Sequence, residues 1–130
     1  MPKKVVMVVD DDIITLDTVA AILSKKKYYV IKSTSGREAL KKLKKEMPDL
    51  MLIDVMMPGM NGIELIEKIR ANPEIMKIKV ALLTVLDFLS VLGNVKDRRK
   101  KLKELAIIDY IPKPFSNKIL LEKVDKLIGH

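Results

Sequence analysis

Short runs of consecutive apolar residues alternate along this chain with longer segments in which apolar and polar residues recur at helical spacing. The apolar runs cover residues 5–9, 50–53, 80–83 and 107–111, whereas residues 28–33 are more mixed. Continuous apolar runs are typical of parallel strands covered on both faces, and a mixed run suits an edge strand. The pattern therefore predicts five strands, the second of them at an edge of the sheet.

An amphipathic segment follows each predicted strand. We predict helices over residues 13–24, 36–46, 62–71 and 117–128, and one more within residues 86–105. Ser35 with Glu38 has the spacing of a capping box, and Ser116 can cap the last helix. Five successive β-α units imply an α/β fold with a mostly parallel sheet, right-handed crossovers and helices on both faces.

Composition limits the domain count and the chemistry. Residues 1–130 are one domain's worth of chain. The absence of cysteine excludes disulfides, thiolate zinc sites and thiol nucleophiles, and the only histidine is the last residue, His130. The longest nearly apolar stretch, residues 80–93, is interrupted by Asp87 and is shorter than the roughly 18 residues that span a bilayer. We expect no membrane insertion and, without a signal-peptide pattern, a cytoplasmic location.

The net charge of +8 raises the question of an anionic partner. Many of the basic residues fall in three separate clusters on predicted helix surfaces or ends, at residues 25–27, 41–45 and 96–103. Scattered clusters with few aromatic residues favour a solvated lysine-rich surface over nucleic-acid binding.

Polar side chains follow four of the predicted strands. Asp10, Asp11 and Asp12 follow the first strand, and the third, fourth and fifth are followed by Asp54, Thr84 and Lys113. Taken singly, an aspartate after a strand is more often a helix N-cap, and Thr84 or Lys113 is an ordinary polar residue. Parallel strands bring their carboxyl ends to one edge, where several carboxylates would repel one another without a cation.

Carboxylates beside a hydroxyl and an ammonium suit phosphoryl transfer. All-oxygen ligands favour Mg²⁺, and a carboxylate is the available nucleophile. The sequence contains no P-loop, dinucleotide-binding or nucleophile-elbow motif. Phosphatases of the haloacid dehalogenase type place a second aspartate two residues after the nucleophile, but Met56 stands there.

Four motifs resemble those of the receiver domain of two-component response regulators and occur in the family's order along the chain. The resemblance is to stand-alone receivers of the chemotaxis-regulator kind. They are Val-Val-Asp-Asp-Asp at residues 8–12, Leu-Ile-Asp-Val-Met-Met-Pro-Gly-Met-Asn-Gly at 52–62, Leu-Leu-Thr at 82–84 and Asp-Tyr-Ile-Pro-Lys-Pro-Phe at 109–115. The resemblance implies a flavodoxin-like (βα)₅ fold with strand order 2-1-3-4-5.

The resemblance also implies roles for the site residues. Asp54 would accept a phosphoryl group from a histidine kinase or phosphotransfer protein, and Lys113 and Thr84 would contact that group. Mg²⁺ would be bound by Asp11, Asp54 and the backbone carbonyl of Met56, with Asp10 acting through water. The domain would be a switch with only self-phosphorylation and self-dephosphorylation activity, and not an enzyme in the usual sense.

Other expectations from the resemblance concern the output. Tyr110 stands at the position of a switch aromatic that moves inward with Thr84, although a half-buried strand residue is the simpler reading. The Lys113–Pro114 peptide bond is expected to be cis. A target protein would bind the face formed by the fourth helix, fifth strand and fifth helix, and a dimer on phosphorylation is a further possibility.

The fourth β-α unit, about residues 85–106, departs from the family. It is extended by about seven residues, close to two helical turns. Either its helix is longer, or an apolar segment at residues 86–92 precedes a basic helix from about Val95, which the helix-breaking pair Gly93-Asn94 favours. Leu105-Ala106-Ile107 replaces the family's glycine-containing turn.

Two functions of other classes stay open beside the switch. One is a receiver-like scaffold that binds proteins without switching, which the complete set of Asp10, Asp11, Asp54, Thr84 and Lys113 argues against. The other is nucleic-acid binding, which we do not expect.

Overall fold

Strands and helices alternate throughout the computed structural model, which describes residues 3–85 and 93–129. The strands are β1 (Lys4–Val9), β2 (Tyr28–Ser33), β3 (Leu50–Ile53), β4 (Lys79–Thr84) and β5 (Ile107–Pro112). The helices are α1 (Ile13–Ser24), α2 (Gly36–Leu43), α3 (Gly62–Ala71), α4 (Val95–Glu104) and α5 (Asn117–Ile128). The predicted order of elements is confirmed.

The five strands form one parallel sheet in the order β2-β1-β3-β4-β5. This is the flavodoxin-like arrangement, and β2 lies at an edge as predicted. Strands β1 and β3 are neighbours, with Val9 opposite Ile53 at their carboxyl ends. The residues that follow these two strands are therefore brought side by side.

Alternate residues of the central strands enter two apolar clusters, one on each face of the sheet. Val9, Ile53 and Leu82 lie in the cluster that contains α3 residues such as Ile66. Their neighbours Val8, Leu52 and Leu83 lie in the other cluster, with Leu16 of α1 and Leu120 of α5. Burial on both faces explains why the strands are continuously apolar.

One helix boundary differs from the prediction, and another decides between the two alternatives for the fourth β-α unit. Helix α2 ends at Leu43 and not at residue 46, because the backbone N–H groups of Lys44 and Lys45 bond to carbonyls three residues back and tighten the turn. Helix α4 begins at Val95. Just before it, Gly93 has a φ of 96°, and Asn94 is the N-cap whose side chain accepts a hydrogen bond from the Asp97 N–H. The alternative with a basic helix from Val95 is confirmed, and the apolar segment 86–92 lies outside the described residues.

The helices within residues 3–85 and 93–129 include none that is long and apolar enough to cross a bilayer. The longest, α1 and α5, have 12 residues each.

Candidate functional site

Three carboxylates lie together at the carboxyl ends of β1 and β3. Asp10, Asp11 and Asp54 each offer a carboxylate oxygen, and these oxygens all lie within 4.8 Å of one another. Asp10 is fully buried and Asp54 is 5% exposed, whereas Asp11 is exposed to solvent. The cluster is thus a partly desolvated acidic pocket that is open on the side of Asp11.

Lys113 supplies a positive charge to this pocket from the loop after β5. Its Nζ lies 2.5 Å from Asp10 Oδ2 and 3.7 Å from Asp54 Oδ2. The Lys113 backbone N–H donates to the carbonyl of Thr84, and the Lys113–Pro114 bond is cis as expected. The lysine therefore reaches both buried carboxylates, with the shorter contact to Asp10.

Asp12 does not belong to this cluster. Its Oδ1 accepts a hydrogen bond from the Ile14 N–H, and its Oδ2 accepts one from Thr15 Oγ1. It is the N-cap of α1, as the simpler interpretation of an aspartate after a strand predicts. The three consecutive aspartates thus divide into one helix cap and two members of the pocket.

The electrostatics of the pocket favour a bound cation. The pKa of Asp54 is raised to about 6, chiefly by burial and then by the charge of Asp10, while Lys113 and a hydrogen bond from the Met56 backbone oppose the shift. Three carboxylates face one ammonium group here, so negative charge is in excess. Oxygen ligands of this kind fit Mg²⁺, which combines one or two carboxylates with water and phosphate oxygens.

The connection from β3 to α3 holds Asp54 in place through backbone contacts. Gly62 N–H donates to Val55 O at 2.8 Å, and a Cβ on Gly62 would lie 2.1 Å from Asp54 O. Asn61 and Glu64 form a complete capping box at the start of α3. Asn61 and Gly62 end the motif at residues 52–62, and the Asn-x-x-Glu spacing from Asn61 to Glu64 is the sequence signal for this cap.

Thr84 and Tyr110, the two expected switch residues, have different surroundings. Thr84 is fully buried at the end of β4, and its hydroxyl donates to the carbonyl of Val85 at 3.3 Å. Tyr110 is 40% exposed and does not occupy the interior. The ring of Tyr110 therefore has its outward orientation in this structure.

The sequence-family model of the response regulator receiver domain matches residues 6–125 of this chain. This chain belongs to the response regulator receiver family. The match covers nearly all of the sequence, so the resemblance seen in four motifs extends over the whole receiver fold. Receiver domains are, in general, non-catalytic signalling domains.

Among curated relatives, the phosphate regulon transcriptional regulatory protein PhoB of Rhizobium meliloti is 34% identical over 93 residues, which are 72% of this receiver and 38% of that protein. The alkaline phosphatase synthesis transcriptional regulatory protein PhoP of Bacillus subtilis is 36% identical over 101 residues, or 76% and 38% of the two chains. The receiver chain thus spans well under half the length of these two regulators.

Solved structures share the fold over their full length. The chemotaxis protein CheY4 of Vibrio cholerae has a TM-score of 0.82 at 26% identity, covering 96% of this receiver and 98% of that chain. A response regulator of Thermotoga maritima has a TM-score of 0.78 at 34% identity, with coverage of 98% and 99%.

Proposed function

We propose that this receiver is a phosphorylation-activated switch and that Asp54 is its phosphoryl acceptor. The observation that carries the proposal is the position of Asp54, a nearly buried carboxylate beside two other carboxylates and 3.7 Å from the Lys113 ammonium. A histidine kinase or a phosphotransfer protein, the usual partners of receiver domains, would supply the phosphoryl group. We further propose that the domain acts in the cytoplasm.

In the proposed reaction a carboxylate oxygen of Asp54 attacks the phosphorus atom of the donor. The new bond is an acyl phosphate, and the bond between phosphorus and the donor's leaving group breaks. Lys113 can move its positive charge from Asp10 toward the transferred oxygens, because it already lies between the two carboxylates. The buried hydroxyl of Thr84, at the end of the neighbouring strand, can donate to another of those oxygens.

A magnesium ion bound here would neutralise charge that develops on the phosphoryl oxygens. Asp11 and Asp54 would hold it, together with the backbone carbonyl of Met56, while Asp10 would act through water. Asp11 suits this role because it is the exposed member of the cluster and can accept a hydrated ion.

For output we propose the face formed by α4, β5 and α5 as the target-binding surface. Exposed apolar side chains on these elements support it: Val95, Ile108, Tyr110 and Ile119. Since PhoB and PhoP are named as transcriptional regulatory proteins, a larger regulator that carries this receiver is one setting for that output, and a dimer formed on phosphorylation is another.

Mass spectrometry after incubation with acetyl phosphate and Mg²⁺ tests the acceptor. The parent should gain about 80 Da, the mass of one phosphoryl group, and Asp54→Asn should gain nothing. Asp12→Asn is the matched control, because asparagine caps a helix as well as aspartate does and Asp12 lies outside the carboxylate cluster. Labelling of Asp54→Asn, or full labelling in excess chelator, would contradict the proposal.

A further inference from the structure

Lys123 of α5 contacts Tyr110 in two ways. Its Nζ donates to the backbone carbonyl of Tyr110 at 2.8 Å and lies 5.3 Å from the centroid of the Tyr110 ring. The same nitrogen pairs with Asp109 Oδ1 at 3.1 Å. One ammonium group thus binds the strand backbone, a neighbouring carboxylate and the face of the aromatic ring.

The backbone of β5 is irregular at this point. Val80 pairs with Ile107 and Leu82 pairs with Tyr110, so two residues of β5 lie opposite Ala81 alone. Such a bulge redirects the side chains that follow it. Asp109 Oδ1 also accepts a hydrogen bond from the Tyr110 N–H at 2.7 Å, so side chains bind both backbone groups of Tyr110.

The register of the sheet shows where the ring can go. Tyr110 is paired with Leu82, and Thr84 lies two residues beyond Leu82, so Tyr110 and Thr84 belong to the same face of the sheet. Lys123 belongs to α5, whose residues Leu120 and Val124 pack on the opposite face. A ring that turned inward toward Thr84 would therefore leave Lys123.

We propose that Lys123 is a positioning residue that holds Tyr110 outward in the unphosphorylated domain and so sets the resting balance of the switch. This inference rests on the proposed phosphorylation of Asp54. Only the contact with the ring differs between the outward and inward states, because the bonds to the Tyr110 carbonyl and to Asp109 do not depend on the ring's rotamer. A ligand or contact shifts an equilibrium only by what differs between the two states.

The ring contact predicts the size of the effect. A partly exposed cation–π contact is worth about a two- to fivefold change in an equilibrium constant. By linkage, loss of the contact should tighten binding of a phosphoryl mimic by up to the same factor. Lys123→Met, which removes the charge, should thus bind beryllium fluoride with Mg²⁺ about two- to fivefold more tightly than the parent.

Tyrosine NMR gives a readout that a purely structural role would not change. The chain has three tyrosines, so ¹³C-labelled tyrosine gives three ring environments. In Lys123→Met without beryllium fluoride, the Tyr110 signal should move toward its position in the beryllium fluoride complex of the parent. Signals of Tyr28 and Tyr29 should stay in place and report an intact fold.

Three variants complete the test. Lys123→Arg keeps the cation over the ring and should behave as the parent. Lys123→Gln keeps a hydrogen-bond donor without the charge and should behave as Lys123→Met. Lys118→Met removes an 82% exposed lysine from the same helix and should change nothing.

If the parent binds beryllium fluoride and Lys123→Met and Lys123→Gln bind it with the same affinity as the parent, the proposed role of Lys123 is wrong. The proposed phosphorylation of Asp54 is not affected by that result. An equal effect of Lys118→Met would also overturn the role of Lys123, because charge loss on α5 would then suffice. Failure of the parent to bind would overturn the proposed function and this inference with it.

Discussion

Ala106, in the turn between α4 and β5, has a backbone φ of 51°, in the left-handed region. Residues with a Cβ pay roughly 1–2 kcal/mol there, and glycine is the residue that avoids the cost. Arg70 compensates by binding this turn: its Nε donates to Leu105 O at 2.7 Å and its Nη2 to Ala106 O at 3.3 Å. The family's glycine turn is thus replaced by a strained alanine that is held by an arginine.

Ala106→Gly should stabilise the domain by about 0.5–1 kcal/mol, because relief of the left-handed strain exceeds the greater entropy of the unfolded chain. Urea unfolding of parent and variant measures the change. Ala21→Gly, at an exposed position of α1, is the matched control and should destabilise by about 1 kcal/mol. Equal losses in the two variants would show that Ala106 is not strained.

At the scale of elements, the β3–α3 connection couples the fold to the site. Helix α3 starts against the backbone of Asp54, and its capping box orients the first turn. Gly59 provides the positive φ of 76° that the loop needs before the helix. The requirement for glycine at position 62 is one of close approach, because a Cβ at this position would overlap the backbone carbonyl of Asp54.

Gly62→Ala should destabilise the domain by about 2–4 kcal/mol, in the range of a severe overpacking substitution. Its Cβ would lie 2.1 Å from Asp54 O, so the helix or Asp54 must move, and the proposed labelling of Asp54 should slow. Gly36→Ala is the control, also at the first residue of a helix, because there the Cβ would meet the flexible Met60 side chain. Thermal unfolding and the labelling rate should both separate the two variants.

At the scale of the whole molecule, the net charge is positive, whereas the local charge of the acidic pocket is negative. The chain carries +8 overall, yet its acidic pocket collects three carboxylates around one lysine. Their mutual repulsion destabilises the folded state when no cation is bound. The folded state is therefore destabilised at the site by a repulsion that a bound cation, such as the proposed Mg²⁺ ion, would relieve.

Asp54→Asn should accordingly stabilise the domain at pH 7 in chelator, by ~1–2 kcal/mol or roughly 3–8 °C in Tm. Added Mg²⁺ should raise the Tm of the parent more than that of the variant, because the variant lacks one carboxylate ligand. Asp17→Asn removes an exposed carboxylate paired with Lys32 and should have little effect in chelator. A less stable Asp54→Asn protein would show that Asp54 is not under repulsion.

The sequence determined the order and type of the elements and the edge at which the polar residues meet. Continuous apolar runs without polar alternation identify strands that are buried on both faces. Parallel strands have their carboxyl ends at the same edge of the sheet. The sequence pattern therefore places five polar residues at one edge of the sheet: Asp10, Asp11, Asp54, Thr84 and Lys113. The start of α4 at Val95 was also predictable, because Gly93-Asn94 is a local signal.

Tertiary structure alone decided which side chains meet. Lys113 lies closer to Asp10 than to Asp54, and Lys123 reaches Tyr110 across the edge of β5. These contacts join separate elements. The register of β5 and the position of α5 against the sheet decide whether each individual hydrogen bond can form. Hydrophobic periodicity specifies the face that a residue occupies, but it does not specify the partner of a long polar side chain on that face.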